Sequence, residues 1–506
     1  MSSPLSFAIR RPASSALRHR SFRVTGLAAL ALLCATGLRA EKLTLDDAIR
    51  AALEKNPSVK VDAYGRSIAR ADLLTALGRF DPSLTFSRTH TEDGSPYSAD
   101  PLVTQLNKYD QYGLALEGTT PWGLNYKIGA QASNSRGTFF PNGNTSRFTT
   151  SDGISVTQPL LRGFGFDANL IGVRIAKANR SIADWQFRQT AIDTVTNVIG
   201  AYSDLAYAQQ SLRIAQRSRE LAAGLLEENE KKYKVGKVSE SDVTYARAQA
   251  ADRDEAILFA EQRVRDAING LRRLMGETAF LVDPVPLEIE PTDNDDDQPV
   301  NAAQDLQQAF LNRPDYQAAK LGIFKSRANE ASARNQLLPR VDFVGSYGYN
   351  GLDRDFAVSR GMVRDEDNRS YSAGVVVSIP LTFAEGRGRL RSARLQRQRG
   401  EADLLLLEQD IAVSIAHAAG EIDTTRRRVA ADRAAYDLAK RALDDELKKL
   451  RAGTSSTYYV AQFQIQLIGA ENSLYNALAN QRRARAAYDR ELGRTLTAHH
   501  IALDKE

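Results

Sequence analysis

Lys231-Lys232-Tyr233-Lys234-Val235-Gly236 returns 217 residues later as Lys448-Lys449-Leu450-Arg451-Ala452-Gly453, and the reading of this pair decides the fold. The register runs on without a gap to Met275-Gly276 against Leu492-Gly493. A shift of 257 aligns Asn56-Pro57 with Arg313-Pro314, and Asp81-Pro82-Ser83-Leu84-Thr85-Phe86 with Leu338-Pro339-Arg340-Val341-Asp342-Phe343. Between these blocks Gln158-Pro159-Leu160 matches Ile379-Pro380-Leu381. Self-similarity on this scale marks one unit used twice. The chain divides into a first repeat at residues 41–282, a Pro- and Asp-rich linker at 283–300, a second repeat at 301–496 and a polar tail at 497–506.

Each repeat reads as short helices, strands and then long helices. Helices are expected over 44–79 and 303–337, broken before Pro57 and Pro314 because the residue preceding proline avoids helical angles. Strands are expected over 82–162 and 339–383, where the hydrophobic period changes to two. Leu124, Tyr126, Ile128, Ala130 and Ala132 alternate with polar or small neighbours, as do Tyr371, Ala373, Val375, Val377, Ile379, Leu381 and Phe383. Segments of this kind suit strands with one face in lipid and one facing a wet lumen, although a half-buried soluble sheet shows the same alternation. Residues 108–135 have no counterpart in the second repeat; they read either as an external loop or as two further strands.

The helices expected over 166–275 and 388–492 weigh against the soluble sheet. From 167 to 235 there is no proline, nor from 390 to 452. A helix of about 65 residues is roughly 95 Å long, far beyond the length of a globular helix. Its apolar positions, such as Ala201, Leu205, Ala208, Leu212 and Ala215, are mostly small, which lets such rods pack side by side. The fold class is therefore α+β: a duplicated helix–strand–long-helix unit.

Composition first points elsewhere. Over 506 residues the formal charge is +5, with 67 basic and 62 acidic residues, a balance suggestive of nucleic acid or anionic membrane. Six of the arginines, however, lie before residue 41, in a stretch without Asp or Glu that continues into an apolar run from Val24 to Ala35. Residues 1–40 read as a secretory signal cleaved after Ala40, leaving a chain close to −1 and no case for a nucleic-acid partner. Cys34, the single cysteine, falls in that signal, and Leu33 before it is too large for a lipidation site. No later stretch is long and apolar enough for a spanning helix, so contact with a membrane would be made by strands.

Motifs for chemistry are sparse. Gly163-Phe164-Gly165-Phe166-Asp167-Ala168 matches a dinucleotide-binding fingerprint formally, but the helix after it is too long for a βαβ crossover. Two glycines that swivel a strand into a helix explain it, and explain Gly386 and Gly388 in the second repeat. His417 with Glu421 is a lone pair on a helix face, and no nucleophile elbow or paired-carboxylate arrangement occurs, so neither enzyme activity nor a cofactor or metal is expected. More telling are the two helix ends, where Gly236 and Gly453 stand at C′ after basic residues, with Ser239 and Ser456 as N-caps of the returning helices and Asp242 completing a box.

The signal, L-T-L-D-D-A-I-x-x-A-L-x-x-N-P from Leu43 to Pro57, T-Q-P-L-L-R-G-F-G from Thr157 to Gly165, and the two tips together resemble the TolC-like outer-membrane channel proteins. The resemblance implies a homotrimer closing one β-barrel in outer-membrane lipid and continuing as a helical tunnel across the periplasm. It also implies a periplasmic adaptor and an inner-membrane transporter of RND or ABC type, for multidrug efflux or type I secretion. The family's adaptor-docking tips fall on Val235, Gly236, Lys237 and Val238, and on Ala452, Gly453, Thr454 and Ser455. Where some members narrow the periplasmic mouth with carboxylates, this chain has Tyr459 and Gln462, with Asp242 and Tyr245 in the first repeat. A mixed ring of Tyr459 and Asp242 is the expectation. The competing reading is a surface-exposed structural or adhesive coiled-coil protein, which would need neither the strands nor the recurring tips.

Overall fold

The joints at Asn56 and Arg313 set the course of each half. Both residues are extended, with ψ of 127° and 121°, because a proline follows. Each therefore ends one helix and starts the next with proline in its first turn, where the missing N–H costs nothing. In the computed structural model, which describes residues 42–97, 100–138, 144–277, 287–290 and 300–503, these joints lie between α1 (Leu45–Lys55) and α2 (Pro57–Gly78), and between α6 (Ala302–Asn312) and α7 (Pro314–Gln336). The signal at 1–40, most of the linker and the last three residues lie outside the described residues.

Six strands follow in sequence order as one antiparallel sheet: β1 (Ser83–Tyr97), β2 (Asp100–Thr119), β3 (Asn125–Thr138), β4 (Asn144–Pro159), β5 (Arg340–Asp353) and β6 (Arg369–Ser378). Residues 108–135 fall within β2 and β3 and the turn between them. The ladder runs through them unbroken, from Lys108 opposite Arg136 to Leu116 opposite Ile128. They are strands of the sheet, not an external loop.

Two expectations need correcting. The last strand stops at Ser378 rather than near 383, since Pro380 has no N–H to give the ladder and Phe383 adopts a left-handed φ of 49°. Phe383 is also the swivel of the second half: Gly386 and Gly388 are already inside the helix that follows. In the first half the glycines do serve, with Gly163 and Gly165 both left-handed (φ 84° and 85°). There Asn169 donates to the carbonyls of both glycines, and a short α3 (Gly165–Asn169) precedes the rod.

The rods are α4 (Ile171–Lys234, 64 residues) and α9 (Ala384–Arg451, 68 residues), each about 100 Å long. Each turns back into a helix of 35 residues, α5 (Glu240–Leu274) and α10 (Thr457–Glu491). A short α8 (Phe356–Arg364) and α11 (Thr495–Ala498) complete the elements. Among the described residues no helix is long and apolar enough to cross a membrane.

The apolar cores sit part-way along the rods, where the short helices lie against them. Ala48, Ile49 and Ala52 of α1 pack on Ile192, Val195 and Val198 of α4 and Leu271 of α5. Ala309 of α6 packs on Ile411 and Ile415 of α9 and on Tyr488 of α10. Fully burying one such aliphatic side chain contributes about 1.5–3 kcal/mol. Beyond these girdles, α4 meets its neighbours largely through alanines such as Ala176, Ala178, Ala208 and Ala222, which bury little area but allow close approach. The joints repeat one device. Gly276 and Gly493, both with positive φ, let the end of each returning helix sit against the backbone at 55–56 and 312–313, where a Cβ would have no room.

Candidate functional site

The sheet has two chemically opposite faces. Register places Leu84, Leu116, Ile128, Ile154, Tyr347 and Tyr371 side by side on one face. Phe86 (71% exposed), Leu114 (51%) and Val375 (60%) share it, an apolar surface too broad to face water. The other face carries Thr85, Ser87, Gln111, Gln131, Ser151 and Ser346 around a concave pocket. Glycines on that face pack against the neighbouring strand: a Cβ on Gly129 would meet the Leu114 carbonyl at 2.7 Å, and one on Gly153 the Tyr347 carbonyl at 2.5 Å. Apolar outside and small and polar inside is the pattern of a strand-built pore wall.

The helix α8, which the sequence reading did not anticipate, lies on the apolar face towards the far end of β4 and β5. Thr150 donates to the Ser359 carbonyl at 2.8 Å, Phe148 meets Phe356 edge-on at 5.9 Å, and Gly351 leaves the space the helix needs. Its signal was present but short, nine residues with an Asp355 N-cap accepting from Ala357 and Val358 N–H.

At the opposite end the rods stop in two turns of the same backbone form. Lys237 N–H donates to the Lys232 carbonyl and Gly236 N–H to that of Tyr233; Thr454 and Gly453 do the same with Lys449 and Leu450. Both are Schellman turns, with Gly236 at φ 74° and Gly453 at φ 77°. Val235 is 68% exposed, and Gly236, Lys237, Ala452, Gly453 and Thr454 are exposed with it, while Val238 and Ser455 are half-buried.

The four aperture candidates separate. Asp242 is taken up by the cap: it accepts from Ser239 Oγ at 2.6 Å and from Ser239 N–H at 3.0 Å, and these bonds hold its carboxyl below the usual range. Tyr459 is 57% exposed and in ring contact with Tyr458 at 5.6 Å. Tyr458 in turn meets Tyr245 at 5.5 Å, joining α5 to α10. Gln462 is half-buried one turn further on. Within one chain, ring contacts thus link Tyr245 to Tyr459 through Tyr458. Tyr458 was missed because alignment by position pointed only to its neighbour; the doubled tyrosine was the available signal.

A polar-lined sheet, an apolar outer face and helical rods with exposed ends define a membrane channel subunit anchored by strands. The family profile described as "Outer membrane efflux protein" matches residues 48–277 and 306–494, and the chain belongs to that family of outer-membrane channels. It is 29% identical over 253 residues to protein CyaE of Bordetella pertussis, a match spanning about half of each chain (49% and 50%). Over 387 residues it is 23% identical to the outer membrane protein TolC of Escherichia coli K12, covering 75% of this chain and 77% of TolC. The CmeC outer membrane channel of Campylobacter jejuni shares the fold, with TM-score 0.67 and 14% identity over 89% of this chain and 86% of that one.

Proposed function

We propose that three copies of this chain close one barrel in the outer membrane and together form a passive exit duct. The observation that carries this is the sheet: six antiparallel strands whose outer members, β1 and β6, have no strand beyond them among the described residues. Unpaired strand edges are not tolerated in lipid, and a sheet of six is too narrow to close around a useful pore. Three copies joined β6 to β1 give eighteen strands, the size that leaves an aqueous channel. The duplicated units would then set their two rods and two returning helices per copy side by side as a tunnel through the periplasm.

Export energy comes from an inner-membrane transporter of RND or ABC type, reached through a periplasmic adaptor. The exposed turns at 235–238 and 452–455 are the docking surface for that adaptor. The cargo is small toxic compounds or a secreted polypeptide, chosen by the transporter, since a wall of Ser, Thr, Gln and Gly discriminates weakly. No catalytic step is assigned to the chain.

The resting periplasmic mouth is narrowed by aromatic side chains, Tyr459 carried on Tyr458 and Tyr245. Purified protein should run as a heat-sensitive trimer and form channels in planar bilayers. Tyr459→Ala should raise resting conductance several-fold. A soluble monomer defeats the duct; a trimer whose conductance ignores Tyr459→Ala defeats only the aromatic mouth.

A further inference from the structure

We propose that the cleft between α2, α4 and the segment following α11 binds an anionic amphiphile, a carboxylate or phosphate head on an alkyl chain. The cleft is a cavity of about 470 Å³, within the range of small-molecule sites. Its described walls come from α2, α4, α11 and the segment after it.

Among the described residues, four guanidinium groups, of Arg66, Arg70, Arg180 and Arg188, line it against one carboxylate, Asp184. That carboxylate is already engaged by Arg66 Nε at 3.0 Å. Two of the arginines are held in place by aromatic rings: Arg66 lies 4.7 Å from the centre of Phe187, and Arg188 lies 5.6 Å from that of Trp185. A guanidinium stacked on a ring keeps its N–H groups aimed sideways, ready for an oxygen anion, at little further entropic cost. Arg188 Nε is shielded from solvent and makes no hydrogen bond with any described residue. A buried donor left unpaired is costly, and an arriving oxygen would relieve that cost.

The remaining wall is apolar. Leu496, Ile501 and Leu503 line the cleft together with Trp185 and Phe187. A bare inorganic anion would leave that surface wet, and a neutral lipid would leave Arg188 Nε unmatched. One molecule with a charged head and an alkyl tail satisfies both parts.

Trp185 offers a direct readout, because the chain has only two tryptophans and Trp122→Phe leaves it alone. The protein would be held in nanodiscs of zwitterionic lipid and titrated with decyl phosphate, decanoate, decyl glucoside and inorganic phosphate. Decyl phosphate and decanoate should change Trp185 fluorescence saturably, and the tighter of the two identifies a phospholipid-type or a fatty-acid head. Arg188→Gln should weaken binding about tenfold, equivalent to about 1.4 kcal/mol. Arg180→Gln, at an exposed position where folding is not at risk, should weaken it about threefold, and added salt should weaken it further. Equal affinity for decyl glucoside, equal affinity for inorganic phosphate, or affinity unchanged in both arginine variants would overturn the proposal. So would binding that appears only after residues 504–506 are deleted, since the acidic Asp504 and Glu506 would then be the occupants.

Discussion

At the turn after α4, Ser239 caps α5 from both sides: its Oγ accepts from Asp242 N–H, and the Asp242 carboxylate accepts from Ser239 N–H. At the turn after α9, Ser456 holds the same N-cap position and its side chain makes no capping bond. Its neighbour Ser455 instead donates to Glu446 on the rod at 2.5 Å, and Glu446 also receives Lys449 at 3.1 Å. One turn is fastened within the returning helix, the other across to the rod it leaves. The joints nearer the girdles differ in the side chain used but not in what it reaches. Asn56 Nδ2 donates to the Leu274 carbonyl at 2.7 Å. In the matching place Arg313 Nη1 donates to the Glu491 carbonyl at 3.1 Å and to Glu491 Oε2 at 2.6 Å, while its Nη2 pairs with Asp315 at 2.8 Å. The backbone form is shared between halves, and the side chains that hold it are interchangeable, so long as the same carbonyl is satisfied.

The hardest way to break this correspondence is to remove the glycine both halves share. Gly276→Ala places a Cβ into the Lys55 backbone at positive φ, and should cost about 3 kcal/mol. Gly493→Ala, whose Cβ would meet the Asn312 carbonyl at 2.8 Å, should cost somewhat less. Apparent melting temperatures by circular dichroism in detergent would rank them, and an unchanged midpoint for Gly276→Ala would contradict the close approach.

Next come the unlike joints. Arg313→Met strands the carboxylates of Asp315 and Glu491 in a partly buried site and should cost about 2–3 kcal/mol, less than a fully buried pair because some solvent reaches it. Asn56→Ala loses one neutral hydrogen bond and a cap, about 1–2 kcal/mol. The halves should also differ in acid. Burial alone would raise the Asp315 carboxyl, but the Arg313 guanidinium outweighs it and holds Asp315 below the usual range. A lowered folded value adds stability that is complete above the ordinary carboxylate range, near pH 4, and is lost as pH falls through the folded value. Arg313→Met should flatten that acid-side loss, whereas Asn56→Ala should leave it in place.

The smallest effect separates the tips. Ser239→Ala should cost the first turn about 1 kcal/mol and speed amide exchange over residues 240–243, while Ser456→Ala should leave exchange at 457–460 unchanged. Equal effects at both sites would mean that the two turns are fastened alike.

Much of the architecture was legible because it is written in local chemistry. Proline after Asn56 and Arg313, glycine at 236 and 453, and the long proline-free stretches act on the backbone within a few residues, whatever surrounds them. The period of two in β3 and β6 likewise fixes which face each side chain takes. The strand identity of residues 108–135 was not legible: a hairpin on the sheet and a loop beyond it share the same composition, and only pairing with β1 and β4 distinguishes them. The swivel at Phe383 was misplaced for a related reason. Two glycines permit a left-handed turn without requiring it, and in the second half the geometry of the sheet end imposes that turn three residues earlier.

The sequence by itself determined two helical rods per chain, a sheet with one apolar face, and where each rod turns, because these follow from periodicity and backbone sterics alone. Tertiary structure decided which side chains meet across elements: Tyr245 with Tyr458 and Tyr459, α8 against β4, and four arginines with Trp185 in one cleft. Those encounters depend on how rods and strands lie beside one another, which no local pattern records.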